Sequence, residues 1–343
     1  MKLEFERRTL RLTRGLETSY GVVRERELLL VTLTGADGLT GYGEAAPLEV
    51  YDGVSIERVE RALERYAPVL EHAEDLNGAQ LVEACRDADD VPEALAAVDL
   101  ALWDRAGRRT GRPVAALLSD DFVAQVPVNA TLTALDRAGA AAQAAQAAQD
   151  GFTCIKVKVG VGDDAGRVAA ARAGAGPRMA LRLDANGAWS VDEAVHAIDA
   201  LSPSGLELVE EPTHGLHEMR EVRERVAVRV AIDETAGELG ALTAGVADAV
   251  CLKISRCGGI GRLIAAAALV RSTGAEVYLA STLDGPLGVA AALQAAAALA
   301  SRGPMPHCGL ATLDMFAELA NPLPARAGAI TLPTAPGLGV EPF

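Results

Sequence analysis

From Val126 onward the chain repeats one unit, a short β-branched run followed by an Ala-rich helical stretch. The runs stand at Val126–Thr131, Cys154–Val159, Ala180–Asp184, Leu206–Val209, Val228–Ile232, Val250–Ile254 and Glu276–Ala280. Helical stretches such as Arg137–Gln149, Asp163–Ala175, Val191–Leu201 and Gly261–Thr273 separate them, and an eighth apolar segment lies near Met305–Leu310. Strands that alternate with helices pair in parallel, because each crossover returns the chain to the same end of the sheet. An open doubly wound sheet and a closed (β/α)7β barrel both satisfy this pattern. The regularity of the units, and the gathering of polar residues at the C-terminal strand ends, favour the barrel. Half the chain is hydrophobic but only 3% is aromatic, so Ala, Val and Leu must build the interior.

The first 60 residues follow a different rule. Leu3–Arg11 and Glu27–Thr34 read as strands, with a turn at Asp37-Gly38 before Thr40–Glu44. Helical patterns follow at Ser55–Leu70 and Val91–Arg109, the second opening on Pro92 and closing at Gly111-Arg112-Pro113. This part is an α+β segment.

The strand ends of the repeating part carry charge. Lys156 and Lys158 lie on one face of the second run, since side chains alternate along a strand. The next three runs end in Asp184-Ala185-Asn186, Glu210-Glu211-Pro212 and Asp233-Glu234, the following one carries Lys253, and the seventh leads into Ser281-Thr282-Leu283-Asp284. Asp184, Glu210 and Asp233 are each about one βα unit apart, which sets them on neighbouring strands at one mouth. Three gathered carboxylates repel unless a cation neutralises them, and hard oxygen donors suit Mg²⁺, with Mn²⁺ as the alternative. Lys158 precedes the cluster by one strand and Lys253 follows it by one, so the two approach from opposite sides. Removing a proton next to a carboxylate yields an enediolate, whose charge a divalent ion stabilises as a Lewis acid. A lysine near a cation and another lysine is expected to have a lowered pKa and to act as a base near neutrality.

In these motifs the sequence resembles the enolase superfamily, muconate-lactonizing-enzyme subgroup (mandelate racemase/muconate lactonizing enzyme family), over essentially its whole length. A lysine base with Mg²⁺ is the known arrangement of such sites. The resemblance implies an α+β capping domain, residues 1–125 with 316–343 returning to it, and a TIM-like (β/α)7β barrel over 126–315. Ala97–Gly111, AVDLALWDRAGRRTG, resembles the family's cap helix. The resemblance further implies Lys158 and Lys253 as acid and base, Lys156 as assistant to Lys158, and Asp184, Glu210 and Asp233 as metal ligands. Glu211 and Glu234 are read as standing behind those ligands.

The substrate is expected to be a small carboxylate. Ser19 and Tyr20 in the loop Gly15–Val22, Tyr51 beside Asp52 in the loop Pro47–Gly53, and Asn186, Ser281, Thr282 and Asp284 at strand ends are candidate contacts. Arg182, expected to point into the barrel beneath the site, is an orienting candidate of the same group. Gly309-Leu310-Ala311-Thr312-Leu313 resembles o-succinylbenzoate synthases and lacks the Asp-x-Asp with which the family's dipeptide epimerases hold an ammonium. The segments 253–259 and 282–286 look more like muconate cycloisomerases, and Thr18-Ser19-Tyr20-Gly21 resembles racemases. The order is dehydration to o-succinylbenzoate, then muconate-type cycloisomerisation, then N-acyl amino acid racemisation or dipeptide epimerisation. A catalytically idle binding protein is the alternative of another class.

Other functions are disfavoured. A formal charge of −15 speaks against a nucleic-acid surface. Met1–Arg14 alternates charged and apolar positions, and the Ala-rich stretches are too short for a membrane span, so a cytoplasmic protein is expected. Five scattered cysteines without a CxxC pair suit neither a disulfide framework nor zinc. Gly258-Gly259 lacks the surroundings of a phosphate loop, His214 and His217 read as solvated, and Cys257 as a packing residue. A homo-oligomer is expected by resemblance alone.

Overall fold

The two-residue period of the first segment produces three antiparallel strands, β1 (Lys2–Thr18), β2 (Gly21–Thr34) and β3 (Thr40–Ala45). The structure, a computed structural model, describes residues 1–18, 21–72 and 76–343. In β2 the period sorts Leu29, Val31 and Leu33 to one face and Leu30 to the other. The first face packs on helices α2 (Ile56–Glu71), α3 (Gly78–Ala88) and α4 (Pro92–Thr110), which follow the short α1 (Glu49–Asp52). Helix α4 lies directly on β3. A Cβ at Gly41 would stand 2.1 Å from Ala101 O and one at Gly43 2.0 Å from Ala97 O, so only glycine admits this approach.

After α5 (Val114–Leu118) comes β4 (Gln125–Pro127), and then the parallel sheet: β5 (Ala130–Leu132), β6 (Cys154–Lys158), β7 (Ala180–Asp184), β8 (Leu206–Glu210), β9 (Val230–Ile232), β10 (Ala249–Leu252) and β11 (Glu276–Leu279), hydrogen-bonded in that order. The crossovers carry α6 (Arg137–Gln149), α7 (Asp164–Ala175), α8 (Val191–Leu201), α9 (Leu216–Arg225), α10 (Ile254–Cys257) with α11 (Ile260–Ser272), and α12 (Pro286–Ala300). The expected eighth segment closes the sheet. Cys308 N donates to Pro127 O at 2.8 Å on one edge, and Gly309 N to Leu279 O at 2.8 Å on the other. Parallel bridges at Val128–Cys308 and Ala280–Gly309 complete the join. This is the mixed α/β barrel that the alternation implied, with a separate antiparallel sheet.

Two local expectations change. The run Val126–Thr131 is not one strand: Val126 pairs antiparallel with Ile330 of β13 (Ala329–Thr331), beside β12 (Ala325–Arg326), and the barrel begins only at Ala130. Pro127, which has no N–H to give a ladder, marks the change. Between β9 and β10 the chain winds only into the 3-10 turns Glu234–Gly237 and Ala241–Thr243. Among the described residues, no helix is long and apolar enough to cross a membrane.

The C-terminal tail packs back on the first segment. Asp104 of α4, fully buried, accepts hydrogen bonds from Tyr42 N (3.0 Å), Leu338 N (2.8 Å) and Arg108 Nε (2.7 Å). Removing it leaves buried donors without an acceptor. Asp104→Ala is expected to cost about 3 kcal/mol, read as a lower denaturant midpoint at unchanged slope, with Asp104→Asn costing less.

Candidate active site

Strand register assembles the site. Lys158 pairs with Asp184 and Asp184 with Glu210, so the last residues of β6, β7 and β8 stand at one level of the barrel. Lys156 sits one pleat lower on the same face, and its Nζ reaches Asp184 Oδ2 at 2.7 Å and Glu210 Oε1 at 2.8 Å. Lys158 Nζ donates to the same Asp184 Oδ2 at 2.7 Å and to Asn186 Oδ1 at 2.6 Å. Across the mouth, just past β10, Lys253 Nζ donates to Asp233 Oδ2 and to Tyr51 OH, both at 2.6 Å. The Tyr51 hydroxyl donates in turn to Asp233 Oδ1 at 2.8 Å. One pocket is lined by all three lysines together with Asp184, Asp233, Asn186 and Tyr51, and its apolar wall includes Leu16, Leu48, Leu283 and Met315.

Burial and charge work against each other here. Burial raises the Asp184 carboxyl, but Lys156 and Lys158 outweigh it and hold the group far below the usual range. Asp233 is likewise lowered, burial being overcome by Lys253 and Lys156. Glu210 is raised by burial and by the charges of Asp184 and Asp233, against the pull of Lys156. Lys156 and Lys253 show the same opposition. Burial pushes both down, yet the adjoining carboxylates, Asp184 and Glu210 for one and Asp233 for the other, carry them above the usual lysine value.

The donor chemistry fits a hard divalent ion. Glu210 and Asp233 bring oxygens within 4.8 Å of each other and of the Cys251 thiol. Glu234 Oε2 is buried with no hydrogen-bond partner among the described residues, and burial with the charges of Asp233 and Asp184 pushes Glu234 up to about 8. Such a surplus of buried carboxylate is what a dication relieves.

The neighbouring acids divide. Glu211, at φ 39°, turns away from the pocket and accepts from Asp233 N (2.7 Å), Thr235 N (2.9 Å) and His214 Nδ1 (3.0 Å), clamping the end of β9. Glu234 accepts from Asn186 Nδ2 at 2.9 Å, and Asn186 thereby links it to Lys158.

Some expected contacts are not at the pocket. Arg182 is fully buried one layer below, paired with Glu207 at 2.8 and 3.0 Å, donating to His307 O at 2.7 Å and stacked over Tyr278. Its charge found a partner inside the barrel, and it does not line the pocket. Asp284 is buried behind Thr282 and Leu283, outside the lining, whereas Ser281 and Thr282 do line it. Ser19 and Tyr20 lie outside the described residues. Three groups were missed by the sequence reading. Tyr278 OH donates to Glu210 Oε2 at 2.7 Å; Arg256 Nη1 donates to Tyr51 OH at 3.2 Å; the Cys251 thiol faces Glu210 and Asp233. Inward alternation on β10 and β11 could have indicated Cys251 and Tyr278. No local signal pairs Arg256 with a tyrosine 205 residues away.

Comparison with known proteins gives the chain a family and a fold. Residues 139–343 match the family model described as enolase C-terminal domain-like, and residues 5–119 match the mandelate racemase / muconate lactonizing enzyme N-terminal domain. Muconate cycloisomerase 1 of Rhodococcus opacus is 31% identical over 340 residues, covering 92% of this chain and 88% of that one. The o-succinylbenzoate synthase of Thermobifida fusca is 40% identical over 201 residues, 56% of this chain and 61% of that one. Among solved structures, a dipeptide epimerase from Enterococcus faecalis, complexed with Mg and the dipeptide L-Leu-L-Tyr, superposes with a TM-score of 0.90 at 27% identity over 99% of both chains.

Proposed function

Since the chain belongs to the mandelate racemase/muconate lactonizing enzyme family of the enolase superfamily, we propose that its pocket removes a proton alpha to the carboxylate of a small substrate, with Lys158 and Lys253 as acid and base. The observation that carries this reading is the pair of lysines reaching one pocket from β6 and from the end of β10, on opposite sides of the carboxylates. Asp184, Glu210 and Asp233 would hold Mg²⁺ or Mn²⁺, which when bound supplies Lewis-acid stabilisation of the enediolate. Such an ion would draw carboxylate charge away from the ammonium groups, allowing a lysine to lose its proton nearer neutrality. Lys156, tied to Asp184 and Glu210, keeps the cluster in register with Lys158. Tyr51 and Arg256 orient Lys253 from the rim. On this reading residues 1–125 with 316–343 form the cap and 126–315 the catalytic barrel.

For the reaction itself we favour dehydration to o-succinylbenzoate. Among the described residues, the only carboxylates lining the pocket are Asp184 and Asp233, each bound to lysine, so nothing there pairs a substrate ammonium. That disfavours a dipeptide. The 40% identity to an o-succinylbenzoate synthase supports the same choice. In the dehydration, lysine takes the alpha proton, the C–H electrons form the new C=C bond, and the leaving hydroxide departs as water on receiving a proton from a lysine. A muconate-type cycloisomerisation is the second reading, supported by the match to muconate cycloisomerase 1 over 92% of the chain.

The test is to give the Mg²⁺-loaded protein the o-succinylbenzoate precursor and follow the absorbance change, with a chelated control. Metal-dependent turnover with kcat/KM of about 10⁴ M⁻¹s⁻¹ or more is expected. No turnover on the precursor, with turnover of a muconate, would replace dehydration by cycloisomerisation.

A further inference from the structure

We propose that Glu44, carried by the cap sheet, is a positioning residue for the pocket wall: its carboxyl seats the turn at residues 281–285 and so sets where Ser281, Thr282 and Leu283 stand. The proposal rests on the reading of that pocket as the substrate site.

Glu44 lies near the end of β3, is 3% exposed, and reaches out of the cap into the barrel. Its Oε1 accepts from Gly285 N at 2.6 Å, 241 residues away in sequence. The N–H groups of Leu287 and Gly288 also face this carboxyl, so it meets the free first turn of α12. The sequence of that turn is shaped around it. A Cβ at Gly285 would lie 2.5 Å from Glu44 Oε2, and one at Gly288 would lie 2.9 Å from Glu44 Oε1 and 2.8 Å from Asp284 Cβ. Gly285 has an extended φ of −77°, so glycine is needed there for room and not for an unusual backbone. Glycine inside a helix costs stability relative to alanine, which makes Gly288 informative: it yields that stability to admit the two carboxyl groups.

The turn needs an external hold. Leu283 sits at φ 58°, a left-handed conformation that a branched residue adopts only under constraint. Arg26 of β2 provides a second grip from the same sheet, donating to Ala46 O and Pro47 O at 2.7 Å and to Leu283 O at 3.4 Å. Asp284 completes the arrangement. It is 1% exposed, and among the described residues neither of its oxygens has a hydrogen-bond partner, nor does Glu44 Oε2. Two carboxyl groups packed around one glycine oppose each other's ionisation. Burial, then the charge of Asp284, pushes Glu44 up to about 8, and burial pushes Asp284 up to about 6. The other charges facing the pair are Arg26 and Lys253, which oppose the rise at Asp284.

The test compares Glu44→Ala with Glu44→Gln, which keeps an acceptor for Gly285 N. Amide hydrogen exchange over residues 283–288 is expected to quicken about tenfold or more in Glu44→Ala and to stay within about threefold of the parent in Glu44→Gln. KM for the precursor is expected to rise about tenfold in Glu44→Ala with kcat within about threefold, and Glu44→Gln to restore it. Parent-like exchange and KM in Glu44→Ala would overturn the proposal, as would a fall in kcat alone. Should Glu44→Ala not fold, Glu44→Asp withdraws the carboxyl by one methylene, and the same readouts decide. Exchange needs no substrate, so a failure of the pocket reading, seen as unchanged turnover in Lys158→Ala, is distinct from a failure here.

Discussion

Lys158→Ala is expected to lower kcat by about 10³-fold while leaving the fold and metal affinity close to the parent's. A positioned acid or base contributes about 10²- to 10⁴-fold, and an ammonium that binds, among the described residues, Asp184 and Asn186 at the pocket wall can be removed without opening the core. Lys253→Ala should cost as much or more, because it also frees the Tyr51 hydroxyl and Asp233 from their shared cation. The two variants separate the reactions as well. Racemisation needs a proton removed on one face and delivered on the other, so both lysines are required. Elimination of water or closure of a lactone needs proton transfer on one face, so one variant should keep exchange of the alpha proton with solvent deuterium while the other loses it. Turnover of Lys158→Ala at the parental rate would remove the assigned chemistry altogether.

Exhaustive chelation is expected to abolish turnover, by about 10³-fold or more, with Mg²⁺ restoring it. The reasoning begins with charge. Asp184, Glu210 and Asp233 are buried at the barrel mouth with Glu234 beside them, their charges raise Glu210 and Glu234, and among the described residues one oxygen of Glu234 has no hydrogen-bond partner. An ion that binds the folded chain and not the unfolded one also stabilises it, by about 2.7 kcal/mol at a hundredfold excess over Kd. Thermal melting should therefore rise with Mg²⁺ concentration even without substrate. Asp233→Asn should abolish both the thermal shift and the activity, because it removes a ligand charge from the cluster while Asp233 N remains clamped by Glu211. A protein that melts identically with and without Mg²⁺, and turns over in chelator, would contradict the metal reading.

Much of the fold was written in local pattern. Alternating side chains assign each strand a face, and the length of a βα unit carries the next strand end to the same rim, so the sequence alone sets Lys158, Asp184 and Glu210 at one level. Their register confirms that level. The splitting of the run at Val126 was less legible, because an antiparallel partner at Ile330, 204 residues on, competes for it.

What the sequence by itself determined is therefore the barrel and the identity of the charged residues along its mouth, since both follow from periods of two residues and of one βα unit. What only the tertiary structure decided is direction beyond the strand ends. Glu210 and Glu211 are adjacent and chemically alike, yet the positive φ at Glu211 turns it onto the backbone of Asp233 and Thr235. Arg182 has the alternation of an inward residue, but Glu207 and Tyr278 hold it below the pocket. Tyr51 reaches Asp233 and Glu44 reaches Gly285 across 182 and 241 residues. The reason is physical: a strand repeats its geometry and so announces its faces, whereas a loop side chain points wherever distant partners satisfy its charge and hydrogen bonds.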